Sequence, residues 1–205
     1  MKQVSVLKFG GSSVGTIEKI KDISNYLKRR VENQEKLIVV VSAMGKTTDD
    51  LLKQVEKITG NPDVRELDTL LAIGEQNTIS LMAISLNEMG VRARSLTGIQ
   101  AGIRTFGQHT KSRIADIDTD FLNDQLDEFD ILVVAGFQGY NENLEITTLG
   151  RGGSDTSAVA LDAAIGAPCE IYTDVTGVFG TDPRIYKAAR QLSQVSYEEM
   201  LELSA

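Results

Sequence analysis

The chain has 205 residues, 41% of them hydrophobic and 24% charged, with a net charge of −8. That is enough material to bury a sizeable core as one α/β domain, while the acidic balance argues against a nucleic-acid partner, since phosphate contacts need a basic face. No apolar stretch is long enough for a membrane span and the apolar start is too short for a signal peptide, so a cytoplasmic setting is expected. A lone Cys169 excludes an internal disulfide and any CxxC metal site.

Val4–Phe9 reads as a first strand, broken by Gly10-Gly11. Ile17, Ile20, Ile23, Tyr26 and Leu27 then recur at helical spacing. Leu37–Ser42 is a second strand, built on the continuous apolar run Leu37-Ile38-Val39-Val40-Val41. Asp63 with Glu66 resembles a capping box opening a helical segment toward Met89. Val91–Leu96 is a third strand, followed by a polar stretch running to His109, the one histidine, which is expected to be a loop or surface residue. Asp118 or Thr119 caps a helix through Leu126, and Ile131–Ala135 is a fourth strand. Gly139–Glu145 reads as a turn between short extended pieces. A helical run, Ser157–Ile165, precedes a fifth strand, Cys169–Thr173, and Val195 onward looks like the start of another helix. Continuous apolar strands alternating with helices predict an α/β layered domain whose parallel sheet is covered on both faces.

The strand ends carry the chemistry. Ligands in open α/β sheets gather at the carboxyl ends of the strands. Lys8-Phe9-Gly10-Gly11-Ser12-Ser13 combines glycines, which admit close backbone approach, with a lysine and a helix start. It looks like a cradle for an anion, most simply a nucleotide phosphate; the plain alternative is a tight turn with Lys8 reaching solvent. Gly45-Lys46-Thr47 imitates the end of a P-loop, but the earlier glycine would fall at Val40; Gly150-Arg151-Gly152 starts like a dinucleotide fingerprint, but its last glycine would fall at Asp155. Neither motif is met.

Five stretches taken in order are far more specific than any one of them. Lys8–Ser13, Val41-Ser42-Ala43-Met44-Gly45, Ile73-Gly74-Glu75, Thr147-Thr148-Leu149-Gly150-Arg151-Gly152-Gly153-Ser154-Asp155-Thr156 and Thr173-Asp174-Val175-Thr176-Gly177-Val178 resemble the signatures of the aspartate kinase family, within the amino acid kinase superfamily. The resemblance runs from Lys2 to the last residue. It implies a three-layer α/β/α domain over residues 1–205 with a mostly parallel central sheet, the carbamate kinase-like fold. It implies ATP-dependent phosphorylation of the L-aspartate β-carboxylate, with Mg2+ carried by the ATP phosphates, no protein cage for a metal, and no nucleic-acid or membrane partner; a homo-oligomer stays open.

The same resemblance assigns residues. Lys8 and Asp155 are the expected catalytic pair, Lys8 neutralising the transferring phosphoryl group and Asp155 orienting it. Lys8, Phe9, Gly10, Gly11, Ser42, Thr173, Asp174, Phe179 and Arg184 are expected to bind the nucleotide. Thr48, Glu75, Arg151, Gly152, Gly153 and Ser154 are expected to bind the amino acid, Glu75 meeting the α-ammonium and Arg151 gripping a carboxylate bidentately. The plain alternatives are a surface Glu75, an Arg151 in a structural ion pair and an Asp155 that only caps its helix. A carboxylate nucleophile with a pKa of about 4 needs no general base, which fits the scarcity of histidine.

Two departures stand out. Phe179 and Gly180 replace a tyrosine and a threonine or serine common in relatives, so a hydroxyl contact there is in doubt. Relatives also continue past Ala205 into a further nucleotide-site lysine and two ACT-type regulatory domains. The expectation is that this stretch alone folds, binds ATP weakly, turns over little and does not respond to lysine or threonine. Other readings stay open: a kinase of the same fold acting on glutamate, acetylglutamate or a nucleotide, or a ligand-binding module without turnover.

Overall fold

The structure is a computed structural model and describes residues 3–174, 177–181, 185–196 and 198–199. The elements run β1 (Val4–Phe9), α1 (Ile17–Glu32), β2 (Lys36–Val41), α2 (Thr47–Glu56), α3 (Val64–Leu71), α4 (Ile73–Glu88) and β3 (Ala93–Leu96). They continue with β4 (Ile103–Phe106), β5 (Arg113–Ile117), α5 (Thr119–Glu128), β6 (Ile131–Ala135), β7 (Gln138–Tyr140), β8 (Ile146–Thr148), α6 (Gly153–Ile165) and β9 (Cys169–Tyr172). The chain divides into two compact units, Met1–Tyr172 and Thr173–Ala205.

In the first unit the five strands expected from the sequence form one parallel sheet, ordered β3-β6-β2-β1-β9. Their side chains alternate between two cores. Leu7, Phe9, Leu37, Val39, Val41, Val133 and Ala135 pack against Ile20 and Leu27 of α1 and Ile79, Met82 and Leu86 of α4. Val6, Ile38, Val40, Leu132 and Val134 pack against Leu122 and Leu126 of α5 and Ala158 and Leu161 of α6. Helices therefore cover both faces, giving the three-layer α/β/α arrangement. β2 and β9 flank β1 on opposite sides, so the chain order reverses at β1, and the crevice beyond its carboxyl end is where ligands collect in such sheets.

Local signals explain most boundaries. Thr16 caps α1 by accepting from Lys19 N, Asp63 caps α3 through Arg65 N and Glu66 N, and Asp118 caps α5 through Phe121 N. The segment toward Met89 is two helices rather than one, broken at Ala72. The short helix α2 and a second sheet, ordered β5-β4-β7-β8, were not foreseen. Gly139–Glu145 does hold the turn between two short strands, β7 and β8. The edge strand β9 is tied to α1: Tyr172 Oη donates to Glu170 Oε2 and lies 2.6 Å from Tyr26 Oη. Arg30 forks between Glu35 and Glu170.

The second unit, described by itself, holds an antiparallel bridge between Phe179 and Gln191, supported by Gly180 N to Arg190 O and Leu192 N to Val178 O. Ser196 and Glu199 cap each other reciprocally, Ser196 N donating to Glu199 Oε2 and Glu199 N to Ser196 Oγ, which is a helix-start signature. No described helix is long and apolar enough to cross a membrane.

Candidate active site

Strand parity aims Lys8. It shares a face with Val6, toward α6, and its Nζ meets Asp155 Oδ1 at 2.7 Å in the first turn of that helix. The lysine is 7% exposed, whereas the Asp155 side chain is 47% exposed. That enclosed Oδ1 has no hydrogen-bond partner, only this ion pair, among the described residues.

The two glycines differ in their surroundings. A Cβ at Gly10 would stand 3.4 Å from Lys8 Nζ, an ordinary contact distance. A Cβ at Gly11 would stand 2.8 Å from the Ala43 carbonyl oxygen, so this glycine lets the β1 loop lie against the β2 loop. The same contact joins Gly45 N to Gly11 O at 3.0 Å, beside Ser42 N to Phe9 O at 3.2 Å. Gly11→Ala is expected to destabilise the protein by about 1–3 kcal/mol through overpacking against backbone that cannot yield; thermal melts of the two proteins check it. Phe9 turns to the opposite face, where its ring stacks on Tyr172 with centroids 4.6 Å apart. Only its main chain is left at the crevice, which narrows the nucleotide contact expected there.

Next to this crevice lies a cleft of about 130 Å3 lined by Thr48, Glu75, Phe137, Gly150, Gly152, Gly153 and Ser154. Five of those seven are the residues expected from the sequence to hold the amino acid. Ser154 links the two places: it lines the cleft, its Oγ is 2.8 Å from Ser42 Oγ at the end of β2, and its neighbour Asp155 holds Lys8. Gly150 and Gly152 carry φ of 80° and 70°, in the left-handed region, which lets the loop turn sharply into α6. A Cβ on Gly153 would meet the Phe137 ring at 2.8 Å. Phe137 itself has φ of 67° and its N–H donates to Ser157 Oγ at 3.0 Å. A bulky residue in that conformation costs about 1–3 kcal/mol and is retained only where surroundings fix it.

Glu75 is the most unusual group. It is 4% exposed, at the start of α4. Its Oε1 accepts from Ala43 N at 2.9 Å, and Oε2 is enclosed without a hydrogen-bond partner among the described residues. Burial pushes its carboxyl up to about 7, against the opposing pull of the Ala43 and Glu75 amides. A buried carboxylate oxygen without a partner calls for a proton, a water or a cation to match it. The reading of Glu75 as a surface residue is thereby excluded.

Arg151 is exposed between Gly150 and Gly152, beside the cleft rather than among its lining residues. Thr173 and Asp174 follow β9 directly and, with Phe179, belong to the second unit; Arg184 lies outside the described residues. No group of three or more His, Cys, Asp and Glu side chains that could hold a metal occurs among the described residues. Sequence reasoning gave Phe137 and Gly150 no role, although both line the cleft; the signal was their place in the strand-end stretches Gly136–Gly139 and Gly150–Thr156. His109 is the loop residue expected, but it has a buried partner that the sequence did not reveal. Its side chain is 17% exposed, with Nδ1 2.8 Å from Asp68 Oδ2.

The three-layer α/β/α fold places a buried lysine at the sheet's switch point, beside a glycine-walled cleft holding a carboxylate with one oxygen unpartnered among the described residues. The chain belongs to the amino acid kinase family, whose sequence pattern matches residues 3–205. It is 55% identical to the aspartokinase of Geobacillus stearothermophilus over 202 residues, 98% of this chain and 50% of that protein. It is 56% identical to aspartokinase 2 of Bacillus subtilis strain 168, across 97% of this chain and 49% of that protein. The crystal structure of aspartate kinase from Synechocystis superposes with a TM-score of 0.83 at 48% identity, covering 98% of this chain and 33% of that one. The chain thus spans about half the length of the curated relatives it matches.

Proposed function

We propose that residues 1–205 are an aspartate kinase catalytic domain, which transfers the γ-phosphoryl group of MgATP to the β-carboxylate of L-aspartate in the cytoplasm. The product is 4-phospho-L-aspartate, the first step toward lysine, threonine and methionine. The observation that carries this reading is Glu75: a buried, unpaired carboxylate oxygen in a small cleft suits a free α-ammonium and would reject an acetylated amine.

The chemistry asks little of acid–base groups. The attacking carboxylate is already ionised, and phosphoryl transfer is mostly alignment and charge stabilisation. Lys8 offsets the charge on the transferring group while Asp155 fixes its ammonium at 2.7 Å. Amides of Gly10 and Gly11 surround it, and Ser42 stands between phosphate and substrate. Glu75 takes the α-ammonium, Arg151 a substrate carboxylate, and Thr48 with Gly152–Ser154 completes the amino-acid site. Thr173, Asp174 and Phe179 are assigned to the base and ribose, and Arg184 to phosphate oxygens. Mg2+ riding on the phosphate oxygens supplies further charge neutralisation when bound.

The test is ADP release with MgATP against aspartate, glutamate, acetylglutamate and UMP, with hydroxylamine trapping of the acyl phosphate. Aspartate is expected to give ADP and a hydroxamate. Turnover of another acceptor with none of aspartate would overturn the assignment.

A further inference from the structure

The two walls of the cleft come from distant parts of the chain. Glu75 opens α4, whereas Gly150, Gly152, Gly153 and Ser154 lie between β8 and the first turn of α6. One buried side chain joins these parts. Asp68, on α3 just before α4, has no solvent exposure. Its Oδ1 accepts from Thr148 Oγ1 at 2.5 Å, at the end of β8 and two residues before Gly150. Its Oδ2 faces His109 Nδ1 at 2.8 Å, and the Thr110 N–H lies within 3.1 Å of both oxygens.

The loop so held presses on the far wall. A Cβ at Gly150 would stand 3.3 Å from the Thr110 carbonyl oxygen, and Ser112 N donates to Thr148 O at 3.0 Å. On its outer side His109 Nε2 is 3.5 Å from Glu145 Oε2, which also accepts from Asn141 Nδ2 at 2.8 Å. None of Asp68, His109, Thr110, Glu145 and Thr148 lines the cleft.

We propose that the Asp68–His109 bond is a positioning clamp for the amino-acid cleft. It braces, through the Thr110 loop, the direct Asp68–Thr148 tie between the α3–α4 wall that carries Glu75 and the Gly150–Ser154 wall, and so sets the spacing that an amino acid touching both walls must match. This rests on the amino-acid reading of the cleft given above. Removing the Nδ1 donor leaves a buried carboxylate lone pair unmatched and loosens the loop beneath Gly150, which Thr110 N and Ser112 N still hold. A second tie, Gln138 Nε2 to Ala72 O at 3.0 Å, remains, so the fold is expected to survive the loss.

The test is calorimetric binding of aspartate and, separately, of MgATP to the wild-type protein, His109→Gln and His109→Asn. An asparagine amide falls near the Nδ1 position and keeps the donor to Asp68; a glutamine reaches the Nε2 side and loses it. His109→Gln is expected to weaken aspartate binding about tenfold while ATP changes less than about twofold, and His109→Asn to stay within about threefold for both. A wild-type protein that binds no aspartate would sink the functional reading itself. Wild-type binding with an unchanged His109→Gln, or equal losses of both ligands in that variant, or a His109→Asn as impaired as His109→Gln, would overturn the clamp alone. Should His109→Gln fail to fold, His109→Asn decides: retained aspartate affinity supports the clamp, and lost affinity with ATP binding intact refutes it.

Discussion

Lys8→Met is expected to lower the turnover of aspartate about 10²- to 10³-fold, the usual loss when one preorganised charge aimed at a transition state is removed. The thioether keeps the packing of the buried stem, so the folded state should persist. Asp155 loses its partner at the enclosed Oδ1, so some loss of stability is expected, limited because the rest of that side chain is 47% exposed to water. Aspartate affinity should change little, because Lys8 is not among the cleft-lining residues. Steady-state ADP release, with aspartate binding measured alongside, separates the two effects. Near-normal turnover in a folded Lys8→Met protein would remove Lys8 from the mechanism.

Glu75→Gln is expected to weaken aspartate binding and abolish its pH dependence. In the wild-type protein burial holds this carboxyl near 7, and only its ionised form attracts an ammonium. Wild-type affinity should therefore fall toward tenfold per pH unit as pH drops below about 7, and level off above it. The substrate's carboxylates and ammonium keep their charges across that range, so the slope belongs to the protein. The unliganded protein gives an independent readout of opposite sign. A carboxyl raised in the folded state binds more protons folded than unfolded, so its effect on stability worsens as pH rises from about 4.5 to about 7. At about 1.4 kcal/mol per pH unit, that rise corresponds to about 3 kcal/mol lost by pH 8 relative to pH 4. Glu75→Gln has no such group, so the stability difference between variant and wild type should grow with pH. Parallel pH profiles for the two proteins, in binding and in denaturant melts, would show that Glu75 is not the titrating group.

The central sheet was legible chiefly through its inner strands, which are buried on both faces. Leu37–Val41 and Ile131–Ala135 are uninterrupted apolar runs, which few other elements produce. The second sheet was harder to see: Ile103-Arg104-Thr105-Phe106 alternates buried and exposed, a period-two signal only four residues long. The break at Ala72 was hidden because Leu71, Ala72 and Ile73 all suit a helix, and nothing in their chemistry marks a stop. At the site, Lys8 and Glu75 could be singled out as charges at strand and helix starts, but the burial that gives Glu75 its unusual chemistry is a tertiary property. Asp68 and His109 are 41 residues apart and their pairing leaves no local trace. His109 looked ordinary because one histidine in a polar stretch usually is.

The sheet's pairing has a consequence for how this chain tolerates change. Lys8 sits opposite Val40, and Val40 opposite Val134, while Phe9, Val41 and Ala135 form the next row. The strand ends thus act like a reading frame shared by three segments. Deleting one residue between Val4 and Lys8 would turn the lysine to the α1–α4 side and present an apolar side chain to Asp155. Deleting two residues would keep the face but displace the ammonium by about 6.6 Å, two strand steps. Substitutions within β1 away from Lys8 can be absorbed one at a time, whereas length changes there cannot. Across working versions of this domain, insertions and deletions should therefore fall outside β1, β2 and β6. A library of single-codon deletions scored for activity would display that frame as three silent-free blocks separated by permissive loops.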